Sequence, residues 1–270
     1  MKTFEARHWT FLGLLVVVAG AMILNIKLDM RVSPYTQRLY DCIDSLPDGS
    51  VLIVSFDHEA SSLPEIRPIA QSVLRHTFKK GHKLIGVSLL AEGTLIGYRL
   101  MQETAREYGR VYGVDYVYLG FRPQYIAAIL AMGESIGTTY PLDYLGRPYG
   151  QFELTRSVKN YDDVAAVLSI ADGSLTTHWI EYGQARYGVR VLGAVTAAMV
   201  TTYDPYLSSG QMYAMMGGLR GAAEYEKLLA VSGGGARGML AQSSAHLYII
   251  LLIALGNILY FASRKKGRGA

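Results

Sequence analysis

Ser50-Val51-Leu52-Ile53-Val54-Ser55-Phe56, followed by Asp57-His58-Glu59, is the stretch that decides the fold. An apolar, β-branched run ending in polar residues reads as a strand. Beyond it the apolar residues recur at helical period: a helix over Leu63–Lys80, opened by Ser62 and Glu65 in capping spacing and closed at Gly81. The rhythm then repeats. Strands are expected at Leu84–Leu89, Tyr116–Gly120, Val164–Ile170 and Val189–Ala194. Helices are expected at Gly93–Tyr112, Gln124–Met132, Leu175–Tyr187 and Ala222–Leu229. Strands alternating with helices predict an α/β domain with a mainly parallel, Rossmann-like (doubly wound) sheet. Two stretches break the rhythm. Gly133–Asn160 has no clear periodicity, and Ala197–Gly221 is rich in Gly, Tyr and Met.

Outward from this domain, both ends are apolar. Trp9–Ile26 carries no charge, and 18 residues make about 27 Å of helix, near the hydrocarbon thickness. A cleaved signal peptide is the competing reading, since Ala19-Gly20-Ala21 resembles a small-residue cleavage site. The apolar run continues past it, which favours an uncleaved anchor. Leu247–Ser263 is likewise uncharged and stops at Arg264-Lys265-Lys266-Gly267-Arg268. The expectation is therefore a domain flanked by N- and C-terminal transmembrane helices. In chain order these are a tail at 1–8, a span at 9–26, the α/β domain at 27–231, a Gly-rich linker at 232–246, a span at 247–263 and a basic tail at 264–270.

Charge sets the orientation. Lys2 and Arg7 against Glu5 leave the first tail at +1, and the last tail carries four bases and no acid. Basic flanks stay inside, so both termini are expected in the cytoplasm of a cell (inner) membrane protein, with the domain periplasmic or otherwise extracytoplasmic. Of the 26 bases and 22 acids, 20 and 21 remain for the rest of the chain, which is close to neutral. Nucleic acid is thus not an expected partner. Half the residues are hydrophobic and 18% are charged, which excludes intrinsic disorder; a single cysteine, Cys42, excludes a disulfide framework and a multi-thiolate metal site.

Ligands of open parallel sheets sit outside the carboxyl ends of the strands. The residues there are Asp57, His58 and Glu59; Glu92; Arg122; Asp172, Gly173 and Ser174; and Thr196. Of these, Asp57, His58, Glu59, Arg122, Asp172 and Ser174 are the candidate ligand-binding residues, with Asp57 as base or metal ligand and Arg122 as anion clamp. The competing reading makes them turn and helix-cap residues. No residue set is assigned as catalytic, no resident metal site is expected, and no cofactor is expected. Gly133-Glu134-Ser135-Ile136-Gly137 has nucleophile-elbow spacing, but its serine follows a helical stretch rather than a strand. The six His are scattered, with no pair at i, i+4 on one helix.

Twenty Tyr against seven Phe and two Trp make the aromatic content unusual. Tyr offers large contact area with a wet tip, and Met adapts to irregular surfaces. Tyr203, Tyr206, Tyr213, Met215 and Met216 are therefore candidate interface residues, the alternative being that these loops pack on their own sheet. Asn257, an amide within the last apolar run, joins them, because in lipid it seeks a partner helix within the chain or in another copy, or bonds its own backbone. These features together predict an interaction or assembly subunit of a membrane complex, touching lipid and either other membrane subunits or a homo-oligomer partner. The alternative is an anchored enzyme or small-ligand-binding domain using Asp57, Arg122 and Asp172.

Overall fold

The alternation becomes one sheet in the computed structural model, which describes residues 5–23 and 30–266. Its strands are β1 (Val51–Asp57), β2 (Lys83–Ser88), β3 (Tyr116–Phe121), β4 (Ala166–Ala171), β5 (Val191–Val195) and β6 (Ala214–Gly217). The order is β3-β2-β1-β4-β5-β6 and every neighbouring pair is parallel. This is the order of a doubly wound sheet, with its switch point between β1 and β4.

Helices α1 (Ala6–Ile23) and α2 (Pro34–Asp44) precede the sheet; α3 (Leu63–Lys79) and α4 (Gly93–Glu107) follow β1 and β2. After β3 come α5 (Tyr125–Glu134), the short α6 (Ile136–Thr139) and α7 (Glu153–Arg156). After β4, α8 (Leu175–His178) runs through a π turn, Trp179–Gln184, into α9 (Ala185–Tyr187). Helix α10 (Val200–Ser208) precedes β6, and α11 (Gly218–Leu229) and α12 (Gly234–Lys266) come after it.

Because successive strand residues face opposite ways, each strand feeds two cores. Leu52, Val54 and Phe56 of β1 join Ile66, Phe78, Leu100 and Tyr225 from α3, α4 and α11. Ile53 joins Ile129, Trp179 and Tyr203 from the opposite layer. Asp57 shares the parity of Ile53, so its side chain enters this second layer beside Trp179.

Two elements lie outside the strands and helices expected from the sequence. Helix α2 starts with Ser33 as cap and Pro34 in its first turn, and it packs along β6. Strand β6 holds Met215 and Met216, both with no exposed surface, in the segment expected to be a contact loop. The other irregular stretch closes the sheet's far edge. Tyr144 N donates to Tyr118 O (2.9 Å), and the Tyr112 hydroxyl accepts from Tyr118 N (3.2 Å). That hydroxyl also donates to Asp143, whose carboxylate is gripped by Arg147. An unpaired strand edge is thereby covered.

The chain divides into two compact units, one from Met30 to Gly235 and one from the described residues on either side of it. In the first, α11 holds both ends. Glu224 accepts from Ser33 N (3.0 Å) and Ser33 Oγ (2.6 Å), and Lys227 Nζ donates to Met30 O (2.6 Å). Glu226 accepts from Gly235 N (2.8 Å). The stretch expected as a Gly-rich linker, 232–246, is helix α12 from Gly234 on, and its first glycines allow close packing. A Cβ on Gly235 would lie 2.6 Å from Ala223 N and 2.8 Å from the Ala222 carbonyl carbon. Gly235→Val is expected to lower the unfolding free energy by roughly 1–3 kcal/mol through overpacking. Chemical denaturation of the full chain checks this, and an unchanged midpoint would refute the packing role.

In the second unit α1 and α12 pair. Tyr248 Oη donates to Thr10 O (3.2 Å), and a Cβ on Gly13 would lie 2.2 Å from that hydroxyl oxygen. One described helix is long and apolar enough to cross a membrane, the 29-residue stretch Gly234–Ala262, and its apolar core is not buried. The apolar stretch of α1, Arg7–Ile23, is shorter. Residues 24–26 of the expected first span, and parts of both expected tails, lie outside the described residues.

Candidate functional site

At the carboxyl end of β1, Asp57 is buried and accepts four hydrogen bonds. Oδ1 takes Ser55 Oγ (2.7 Å) and Leu89 N (3.0 Å); Oδ2 takes Trp179 Nε1 (3.0 Å) and Ser169 Oγ (3.4 Å). The donors come from β1, the end of β2, β4 and the π turn, so the carboxylate knits the sheet to the layer above it. Burial pushes its pKa up, while the four hydrogen bonds, led by Ser55, pull it down. Geometry gives it the role of an internal acceptor.

His58 is also buried. Its Nδ1 lies 3.1 Å from Glu59 O, and its Nε2 has no partner among the described residues. Beyond it the switch-point crevice is bridged by the chain itself. Asp172 Oδ2 accepts from Glu59 N (2.8 Å), across from β4 to β1. Glu92 Oε2 accepts from Ala60 N (3.1 Å), and Glu65 Oε1 accepts from Ala197 N (2.8 Å) after β5. The Asp172–Ser174 turn is pinned from below, where Tyr203 Oη donates to Gly173 O (2.6 Å). In a dinucleotide-binding sheet such backbone amides face phosphate. Here three of them face carboxylates of the same chain, which occupy the amides and add negative charge where an anion would sit.

Arg122 lies just past β3. Its backbone N donates to Ser88 O (3.0 Å), prolonging the ladder, and the residue is exposed. Ser174 is exposed and precedes α8 without a side-chain capping bond. The sequence-predicted residues are thus gathered at one end of the sheet: Glu59 with Asp172 in direct contact, Asp57 and His58 beneath, Arg122 and Ser174 on the rim. Among the described residues, no group of three His, Cys, Asp or Glu is arranged to hold a metal ion. Ser135, the serine of the elbow-like spacing, caps α6 by accepting from Thr138 N (3.2 Å).

The expected contact surface contracts. Tyr203, Met215 and Met216 are wholly buried in the sheet's layers, a correction to their reading as interface residues. Tyr206 is half-buried, and Tyr213 is exposed with Arg38 and Arg190 over its ring at 4.9 and 4.5 Å. Tyr213 borders a shallow groove of about 420 Å³ beside α2, at the amino end of β6 and away from the strand carboxyl ends. Asn257 is exposed on α12. Residues the pattern does not reveal are Glu224, Glu226 and Lys227. The contacts of Glu224 and Lys227 join segments almost 200 residues apart, and only the crowding of charge in one short helix (E-Y-E-K) signals them.

No protein-family model matches the chain, and no characterised protein does so.

Proposed function

We propose that this chain is a two-span membrane protein whose α/β unit is displayed outside the cytoplasm and serves as an assembly subunit of a membrane complex. The observation that carries this reading is the hold of α11 on both ends of the unit, through Glu224, Lys227 and Glu226. A domain whose incoming and outgoing segments are both fastened to one helix is built to be tethered twice. The apolar stretch of α12 supplies one span, and the uncharged run Trp9–Ile26 supplies the other. The basic tails favour the cytoplasm for both termini. The closed crevice supports a structural role over catalysis, because the amides an anionic substrate would use are occupied.

A second reading, a small-ligand-binding domain, rests on His58, whose buried Nε2 lacks a partner beside the switch point. Substituting Arg122 on the rim and Asp172 across the crevice by Ala separates the two readings. The assembly reading expects the intact complex, extracted in mild detergent and weighed whole, to keep its mass, with its biological activity retained. Loss of activity at constant mass favours the ligand reading. A wild-type chain recovered as an isolated monomer would sink the assembly reading. In sealed vesicles, protease cleavage within 133–160 only from the cytoplasmic face would overturn the topology.

A further inference from the structure

We infer that the α/β unit holds a phosphate group at the carboxyl end of β3, between the Arg122 guanidinium, the N–H groups that open α5 and the Tyr140 hydroxyl. The inference rests on the ligand-binding reading above and moves its site from the end of β1 to the end of β3. The backbone supplies the first donors. Helix α5 follows β3 after only Arg122, Pro123 and Gln124, and Gln124 takes a left-handed conformation (φ 57°) to turn the chain. No side chain caps α5, and no acid stands in its first turn. Ala128 N reaches Gln124 O (3.0 Å), whereas the N–H groups of Tyr125, Ile126 and Ala127 have no acceptor among the described residues. Three unbonded N–H groups and the helix dipole favour an anion there. These amides are not the ones that Asp172, Glu92 and Glu65 occupy. The Asp172 turn follows β4, three strands from β3 at about 4.8 Å each, which is more than a Debye length of about 8 Å.

Side chains complete the set. Arg122 is exposed and forms no ion pair among the described residues. Tyr140 is the independent observation: it is 3% exposed, yet its hydroxyl has no hydrogen-bond partner among the described residues. It lies in the same layer as Ile129 of α5 and Trp179. Burial pushes its pKa up; Asp57 at the end of β1 acts with burial, and Arg122 just past β3 acts against it. The hydroxyl is thus set at the carboxyl ends of the strands, within the field of both charges, and Asp57 already has its four donors. At the first residue of α5, the Tyr125 ring stacks at 4.6 Å on His178, whose Nδ1 is buried without a hydrogen bond and stands 3.6 Å from Glu181 Oε2. His178 immediately precedes the π turn, a helix irregularity frequent at functional sites. Amides along a helix axis, a guanidinium from the rim and a phenol from the buried layer approach from different directions, which suits a tetrahedral oxyanion better than a planar carboxylate.

The test is titration of the full chain in mild detergent with inorganic phosphate, at an ionic strength held constant with chloride. It is read by the emission of Trp179 in a Trp9→Phe parent and by the urea midpoint. The parent is expected to respond saturably, with a Kd at or below about 1 mM, and to gain urea resistance as phosphate is added. Arg122→Gln is expected to raise the Kd at least about tenfold, and Tyr140→Phe about three- to tenfold. The phosphate-free urea midpoint of Tyr140→Phe is expected not to fall, since the hydroxyl removed has no bond to lose. Arg190→Gln, which removes an exposed arginine at the amino end of β5, is expected to keep the parent's Kd. A parent that does not respond to phosphate, an Arg122→Gln variant with the parent's Kd, an equal loss in Arg190→Gln, or displacement of phosphate by a lower concentration of succinate each overturns the inference. If phosphate does not bind and Arg122→Ala still loses activity at constant mass, the inference falls while the ligand-binding reading stands. If phosphate binds through Arg122 and Arg122→Ala keeps both activity and mass, the site stands and the ligand-binding reading falls.

Discussion

Asp57→Ala is expected to lower the unfolding free energy of the α/β unit by about 3 kcal/mol or more, well above the effect of a surface substitution. The carboxylate is the common acceptor for four donors from four segments. Two of these are hydroxyls, whose O–H can turn about the C–O bond, and that of Ser169 already lies 2.8 Å from Thr176 Oγ1. The other two, Leu89 N–H and Trp179 Nε1–H, are fixed by backbone and ring and would be left buried and unpaired, at roughly 1–3 kcal/mol each. Relief of the buried charge offsets part of this, which keeps the expected loss well below the sum over all four donors. Asp57→Asn is expected to recover only part of the loss, since its carbonyl accepts but its NH2 opposes the remaining donors. Trp179 reports the change directly in a Trp9→Phe background, where it is the only tryptophan left. A urea midpoint for Asp57→Ala equal to that of the parent would show that Asp57 is not the joint described here. The expected instability is also why Asp57 is unsuited to testing a ligand role, and why Arg122 and Asp172 are used instead.

That role for Asp57 is within reach of the sequence. Position alone, a polar residue at the end of a strand, points to a ligand site; parity with Ile53 and Ser55 places the same residue on the face of a core. The five longer strands are legible for the ordinary reason that apolar β-branched runs recur between helical periods. β6 is not, because Ala-Met-Met-Gly is four residues long and rich in neither β-branched nor aromatic side chains; only its seat against β5 and α2 makes it a strand. The glycines at 233–235 read by composition as part of a linker, whereas their spatial role is to let α12 begin against α11. The tyrosines divide similarly. Tyr149, Tyr161 and Tyr203 are buried because each hydroxyl finds a backbone carbonyl, those of Val158, Ile129 and Gly173. A residue counted as wet-tipped contact surface becomes core once its tip is satisfied. Such long-range partners leave no periodic trace in a single sequence.

The same distinction, between a group's type and its surroundings, governs how the unit should respond to acid. His76 on α3 is buried, with Nδ1 2.8 Å from the Tyr225 hydroxyl, Nε2 3.3 Å from Asp44 Oδ1, and its ring stacked on Tyr40 at 4.4 Å. Burial disfavours its charged form, and nearby His82 and Lys80 work in the same direction; Asp44 opposes them but loses, and the pKa falls from 6.5 to about 4. An unfolded chain therefore binds a proton at His76 between about pH 6.5 and 4 while the folded chain does not. Stability is full above 6.5 and declines as pH falls through this window, by about 3 kcal/mol from this residue alone. His82, also lowered by burial, acts with the same sign. Glu224 adds a further loss at lower pH: burial opposes its ionisation, but hydrogen bonds from Ser33 and Arg220 hold its pKa below 4.5. Asp57, pushed up by burial, acts with the opposite sign. A difference measurement isolates His76. His76→Gln keeps an uncharged amide within reach of Tyr225, and the fall in its urea unfolding free energy between pH 6.5 and 4 is expected to be about 3 kcal/mol smaller than that of the wild type. Equal slopes in the two proteins would mean that His76 takes up its proton within the folded unit, beside Asp44, which already lies 3.3 Å from its Nε2.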